Sequence, residues 1–415
     1  MNSFFSPQET QFNVEREASL LARLAPFIAY SQQHSPYYTS VLEGVDASAI
    51  TTREQLAKLP ITRKSALITL QSKQSPFAGI SATQAKIDRM YQSPGPINEP
   101  ENCTDNWWRL GQAFYAAGFR AGDKVQNCLS YHLTPGGFIL DSGARACGCT
   151  VIPAGPGQTD QQLDVIENLQ PEGYCGTPSF LKILLDKAQA NNRDVSSITK
   201  ALVTGEAYFP ALRAEFKAAG ILALQAYATA DIGLIAFESD PHEGLIIAED
   251  ILVEIVRPGS IEPVAIGEIG EVVVTSFNKE YPLIRFATGD LSAMLAGTSQ
   301  CGRTNDRIKG WMGRADQTTK IKGMFVHPEQ VEKIRLAHPQ IIKTRLVVAQ
   351  QNHNDVMQLH CEVEQAQLVQ AQLDVLQSSI TKTLKAITKL NGNVEIVAVG
   401  QLANDGKVID DQRTL

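Results

Sequence analysis

Between Lys124 and Tyr227 the chain alternates short apolar runs with longer stretches whose apolar residues recur every three to four positions. The spacing predicts strands at KVQNCL, TVIP, GYCG, ALVT and LALQAY. Helices are predicted between them, running to Cys147, across QQLDVIENL, from Ser179 and over ALRAEFKAA. Such alternation implies a mostly parallel sheet covered by helices, with ligands bound beyond the carboxyl ends of the strands. Upstream, Leu20, Leu21, Leu24, Phe27 and Ile28 share one face of a helix that should dock on a larger body. After about residue 235 the helices give way to β-branched runs, ILVEIV and EVVVTSF, set apart by Gly and Pro turns, which predict an antiparallel appendage. Beyond the glycine-punctuated stretch KGWMGRADQTTKIKGMF, Met357, Leu359, Cys361 and Val363 alternate as in a strand. Val369, Leu373, Leu376, Ile380, Leu384 and Ile387 then recur at helical spacing, and RLVVA and VEIVAV add further strands. The boundary is placed at Asp316, giving a large domain over 1–315 and a small α+β domain over 316–415.

A length of 415 residues agrees with two domains, being more than one hydrophobic core usually serves. The formal net charge of −7 supplies no positive field for phosphate backbones or anionic lipid, so nucleic acid is not an expected partner. Seven scattered cysteines, an odd number, point to free thiols in a reducing compartment, and the cytoplasm is the expected location. The opening MNSFFSPQETQFNVERE has no basic stretch leading into an apolar run, and no run is long enough to span a bilayer. No internal repeat is evident.

Several common chemistries are excluded by motif. No G-x-G-x-x-G follows a strand, no Walker lysine loop occurs, and no G-x-S-x-G elbow exists. His242-Glu243 lacks the second histidine of a zinc hydrolase motif. Cys147 and Cys149 are flanked by small and apolar residues and read as buried structural thiols.

Four stretches remain: QAYATADIG at the end of a predicted parallel strand, YPLIRFATGDLS, CGRTNDRIKGWMGRADQTTKIKGMFVHPEQVE, and GQLANDGKVIDD near the C-terminus. Taken singly they have plain readings: a capped turn, a turn aspartate, a solvated basic linker and a surface lysine. Together, in order and context, they resemble the phenylacetate-CoA ligase branch of the adenylate-forming superfamily, with the likeness running from HSPYY to Lys407. The resemblance implies an α/β adenylate-forming ligase fold, with a large N-terminal domain of helix-covered, mostly parallel sheets plus an antiparallel β segment, and a small mobile C-terminal domain.

On this resemblance Tyr227 lies against adenine, followed by Ala228 and Thr229, and VTGEAYF puts Gly205 and Glu206 on the same side. Asp231 stands where relatives carry a glutamate that helps hold magnesium and phosphate. Asp290 accepts from both ribose hydroxyls, a task suited to two carboxylate oxygens. Arg314 contacts nucleotide, Asp316 is the pivot of the small domain, and Lys407 neutralises charge developing on the α-phosphate. Tyr131, His132, Gly136 and Gly137 line an acyl pocket whose walls include AGPGQTDQQ and the Thr177-Pro178 stretch GTPSFL. His132 has two open readings, a contact to the substrate or a hydrogen-bonded side chain lining a cleft.

The pattern departs from the family at the phosphate loop, QSPGPINEP. Ser93, Gly95 and Pro100 agree, but Pro94 and Pro96 remove amide donors and Glu99 stands at the lysine position. Exchanging a cation for an anion about 4 Å from a phosphate shifts the energy by about 2 kcal/mol in water and more when shielded. Some relatives also hold structural zinc. Here His242 and Cys301 stand at ligand positions, whereas Ser239 and Ile246 occupy others, so no zinc is expected.

The implied activity uses ATP, magnesium and CoA: a small carboxylic acid, of aryl or arylacetic type by analogy, becomes an acyl-adenylate and passes to CoA or a carrier-protein thiol. The alternative is a non-adenylating homologue, acting as a binding or scaffold protein or as a transferase on preformed thioesters. No membrane partner is expected, and a homodimer is left open.

Overall fold

The structure, a computed structural model, describes residues 4–315, 317–321, 324–351, 354–364 and 369–413. Two compact units emerge: Met1–Glu254 with Val273–Thr288 and Met294–Trp311, and Ile255–Val272 with Gly289–Ala293 and Met312–Leu415.

The first unit opens with two helices, Asn13–Ala22 and Leu24–His34, where the apolar spacing predicts one. Pro26 lies in the first turn of the second helix and has no N–H for residue 22, so a continuous helix is broken at Arg23. Leu20, Leu24, Phe27 and Ile28 are buried as the pattern requires. A short strand β1 (Thr62–Arg63) and a hairpin, β2 (Arg89–Ser93) and β3 (Ile97–Glu101), come next. The alternating region then supplies β4 (Lys124–Asn127), β5 (Thr150–Pro153), β6 (Gly173–Gly176), β7 (Lys200–Val203) and β8 (Leu222–Thr229). The helices between them are Gly136–Ala146, Thr159–Leu169, Pro178–Ala190 and Pro210–Ala218.

Strands β4 to β8 are parallel and stand in the order β5-β4-β6-β7-β8. The sheet continues antiparallel through β9 (Gly233–Glu238) and β10 (Leu245–Ile247). Helix faces cover it because their apolar positions coincide: Leu163 and Ile166, Leu181 and Leu184, and Phe216 pack with Tyr174, Ala201, Val203 and Ala223. Gly173 is obligatory in this layer, since a Cβ there would lie 2.1 Å from the Phe119 ring.

The two β-branched runs form β11 (Ile251–Val256) and β12 (Gly270–Ser276), which join β13 (Leu283–Ser292) and β1 in a four-stranded sheet. β1 is parallel to β13, with Thr62 opposite Phe286. Two short strands, β14 (Met294–Leu295) and β15 (Arg307–Ile308), then extend the large sheet beyond β10.

In the second unit β16 (Thr319–Ile321) and β17 (Met324–Val326) form a short antiparallel pair. Strands β18 (Ile341–Gln351), β19 (Asn354–Val363), β20 (Asn393–Val397) and β21 (Ile409–Asp411) make a sheet in the order β20-β19-β18-β21. Its core follows most of the predicted spacing: Leu346, Val348, Met357, Leu359 and Cys361 meet Leu376, Ile380 and Leu384 of the helix Gln370–Thr388, whereas Val369, the residue before that helix, is exposed. Among the described residues no helix is long and apolar enough to cross a membrane.

Candidate functional site

The carboxyl edge of the parallel sheet gathers most of the expected nucleotide and acyl residues, because each follows the end of an adjacent strand. After β6, Thr177 caps the next helix by accepting from the Phe180 N–H at 3.3 Å, and Pro178 fills its first turn, where a missing N–H is harmless. After β7, Gly205 takes a positive φ of 86°, and Glu206 Oε1 accepts from the Ser179 N–H at 2.6 Å. A carboxylate at this helix N-terminus is stabilised by the free amides and the dipole. At the end of β8 the pairing with β9 shifts between Tyr227 and Ala228, and the Tyr227 hydroxyl reaches Thr288 Oγ1 at 3.2 Å. Thr229 Oγ1 accepts from Ile232 N at 3.2 Å, closing the turn that carries Asp231.

After β4, the Tyr131 hydroxyl accepts from Asn127 Nδ2 at 2.7 Å and donates to Asp141 Oδ2 at 3.3 Å. Burial pushes its phenol well above the usual range, so it stays protonated. Its ring packs edge-on against Phe138 and over Gly137, where a Cβ would sit 2.6 Å away. Gly136 and Gly137 therefore open a helix that Tyr131 can approach closely. His132 is exposed, and its N–H bonds Ser130 Oγ at 3.1 Å.

Asp231 lies in a compact charged cluster that the sequence reading did not assemble. The Lys64 ammonium pairs with Asp231 Oδ2, while Asp231 Oδ1 is buried with no hydrogen-bond partner. QSPGPINEP is not an open loop but a hairpin, with Ser93 opposite Ile97 and Tyr91 opposite Glu99. Gly95 has a φ of 137° between the two prolines of its tip. Glu99 is fully buried, its carboxylate accepting from the Ser93 hydroxyl and, at 3.3 Å, from the Ser93 N–H. Burial, reinforced by the charge of Asp231, pushes the Glu99 carboxyl up to about 7 against the opposing pull of Ser93 and Lys64. The Tyr281 hydroxyl, also buried and without a hydrogen-bond partner, is raised by burial and by Asp231 and Glu99.

Because the folded chain holds the Glu99 proton more tightly than the unfolded chain, this group's contribution is fully present below pH 4.5 and is lost as pH rises to about 7. The loss amounts to at most about 3 kcal/mol. Glu99→Gln should accordingly match wild type in thermal midpoint near pH 5 and exceed it by several degrees at pH 8. Parallel midpoints at both pH values would refute this assignment.

The second unit holds the remaining residues. Arg314 Nη1 donates to Asp290 Oδ1 at 2.8 Å, and a backbone bridge joins the same two residues. Asp290 lies on β13 two residues beyond Thr288, the partner of Tyr227. Lys407 is half-exposed, with Nζ 2.9 Å from Asp410 Oδ1 and its N–H on Asp405 Oδ1 at 3.1 Å. Gln317, unremarked in the sequence, clasps this lysine loop: Nε2 donates to Gly406 O at 2.7 Å, and Oε1 accepts from Val408 N and Ile409 N at 2.5 and 2.9 Å. Asp316, the expected pivot, lies outside the described residues.

Residues 102–278 match the AMP-binding enzyme family, and residues 323–413 match the AMP-binding enzyme C-terminal domain. The phenylacetate-coenzyme A ligase of Thermus thermophilus is 31% identical over 363 residues, covering 83% of this chain and 80% of the relative. This chain belongs to the adenylate-forming enzymes, in their phenylacetate-CoA ligase branch. The Escherichia coli phenylacetate-coenzyme A ligase is 28% identical and covers 98% of this chain and 96% of its own. Among solved structures, a 2-hydroxyisobutyryl-CoA ligase with 2-HIB-AMP superimposes with a TM-score of 0.72 over 99% of this chain and 93% of that chain. At 21% identity that likeness is one of fold.

Lys64 and Gln317, which contact the expected site residues Asp231 and the Lys407 loop, are side chains that the motifs did not reveal. Lys64 sits in TRKSAL, where a lysine among polar neighbours carries no local signal, and it begins the turn that directly follows β1, the strand paired with β13. Among the described residues no group of three or more His, Cys, Asp or Glu could hold a metal. The cluster nevertheless fits magnesium in one respect: Asp231 Oδ1 is a buried carboxylate oxygen with no hydrogen-bond partner, and this ion commonly takes one or two protein carboxylates with phosphate and water.

Proposed function

We propose that the chain joins a small carboxylic acid to a thiol through an acyl-adenylate. The acid's carboxylate oxygen attacks the α-phosphorus of ATP and pyrophosphate leaves; the thiol sulfur then attacks the acyl carbon, AMP leaves, and the thiol proton passes to solvent. The observation that carries this reading is the set of polar side chains at the carboxyl edge of the parallel sheet, with Lys64 and Asp231 beside it. In it, Tyr227 and Glu206 orient the base, and Tyr131 with the glycines behind it shapes the acyl pocket; in the second unit, by likeness to the family, Asp290 is assigned to the ribose and Arg314 to the nucleotide. Asp231 would hold magnesium, which when bound neutralises phosphate charge. The segment from Asp316 onward turns between the two half-reactions, so that Lys407 serves the first.

The acceptor proposed is CoA, with a carrier-protein thiol as the competing acceptor, and the acid is an aryl or arylacetic one. A second reading, a homologue that works on preformed acyl groups without using ATP, draws support from Glu99 on the second strand of the hairpin, where it holds the Ser93 donors. Incubation with ATP, magnesium and a panel of carboxylic acids should release pyrophosphate and yield hydroxamates with hydroxylamine. If every acid fails while supplied acyl-adenylate is converted to thioester, the second reading replaces the first.

A further inference from the structure

Glu99 has no part in the chemistry above, yet the hairpin is built around its carboxylate. The side chain is fully buried, and the N–H and hydroxyl of Ser93 both converge on it. Pro94 and Pro96 bring no N–H to the tip. The hairpin is braced from outside as well: Gln71 bonds both the N–H and the carbonyl of Asn98, at 2.8 and 2.9 Å, and Asn98 Nδ2 donates to Pro76 O at 3.1 Å. Two donors converging on a carboxylate make an anion seat, and this seat is filled by the chain itself. An anion entering here meets donors already engaged and two acidic side chains, Glu99 and Asp231, with the ammonium of Lys64 already paired to Asp231. Taking the seat would strip Glu99 of its donors in a buried place, which is costly for a carboxylate.

We propose that Glu99 is the resident anion of this hairpin and sets which nucleotide the site accepts: a nucleoside monophosphate or acyl-adenylate enters without disturbing it, whereas a triphosphate must displace it. This rests on the nucleotide-binding reading above and sharpens it, because it biases the chain toward the thiol-acylating half-reaction.

The test is calorimetric binding of AMP and of a non-hydrolysable ATP analogue, with magnesium present and at pH 8, where Glu99 is ionised, to wild type, Glu99→Gln and Glu99→Ala. Glutamine preserves shape and can still bond Ser93, and thermal unfolding of both variants verifies folding. Wild type should favour AMP. Both substitutions should tighten the ATP analogue by roughly tenfold or more, the scale of removing one nearby like charge, and leave AMP unchanged within about twofold. Equal shifts for both ligands, or no shift for either, would overturn the proposal while leaving the nucleotide site intact. Failure of AMP to bind any of the three proteins would overturn the nucleotide reading, and this inference with it.

Discussion

Lys407→Ala is expected to slow acyl-adenylate formation by roughly 10²- to 10³-fold, the cost of removing one preorganised donor from a developing oxyanion, while thiolysis of supplied acyl-adenylate proceeds at the wild-type rate. The lysine follows Gly406, whose φ is 72°, in a loop whose backbone is gripped on both sides by Gln317. Its ammonium is half-exposed and pairs across three residues with Asp410, so the charge is available to a phosphate at small cost. The ion pair is a surface one, which is why alanine should leave stability nearly unchanged. The two half-reactions are followed separately, by pyrophosphate release and by thioester formation. Equal losses in both would show that Lys407 serves binding or folding and not the adenylation step.

The second large effect concerns stability. Arg285 is completely buried and bidentate to Glu254, with Nε and Nη2 at 3.1 and 3.0 Å, while Nη1 donates to the carbonyls of Ala57 and Leu59 at 2.5 and 2.6 Å. Burial pushes the Glu254 carboxyl up despite this partner. Arg285→Met takes from buried Glu254 the guanidinium bonded to it, leaving Arg53 as a more remote positive charge, and takes from two carbonyls the donor that reaches them, at a cost of about 3–5 kcal/mol. A fall in thermal midpoint of roughly 10 °C follows for a unit of this size. Arg285→Met combined with Glu254→Leu should recover much of that loss, because the penalty is the orphaned charge and not the absent pair. A single variant within 1–2 °C of wild type would show that water or a neighbouring group reaches Glu254 when the arginine is gone.

The strands from KVQNCL to LALQAY were legible because each is a short apolar run ended by small or polar residues, and the helices between them carry their own 3.6-residue spacing. Their parallel arrangement then places Thr177, Gly205, Glu206 and Tyr227 at a common edge, a consequence of topology that alternation alone implies. The N-terminal pattern was legible in burial but not in continuity, since apolar spacing carries no sign of the amide that Pro26 lacks. Glu99 illustrates a different limit. The substitution and its electrostatic direction could be read from QSPGPINEP, but a carboxylate at that position can face solvent or turn inward, and no local pattern distinguishes the two.

By itself the chain's order of residues determined the alternating α/β region, most of the small C-terminal domain's core, and the family. Only the tertiary structure decided that Lys64 pairs with Asp231, that Gln317 grips the Lys407 loop, and that Glu99 turns into the hairpin to meet Ser93. Periodicity reports which face of an element avoids water, a one-dimensional property of neighbours along the chain. The pairing of buried charges depends on which distant segments are brought within a few ångströms and on how much water they lose there, and neither quantity is written in local spacing.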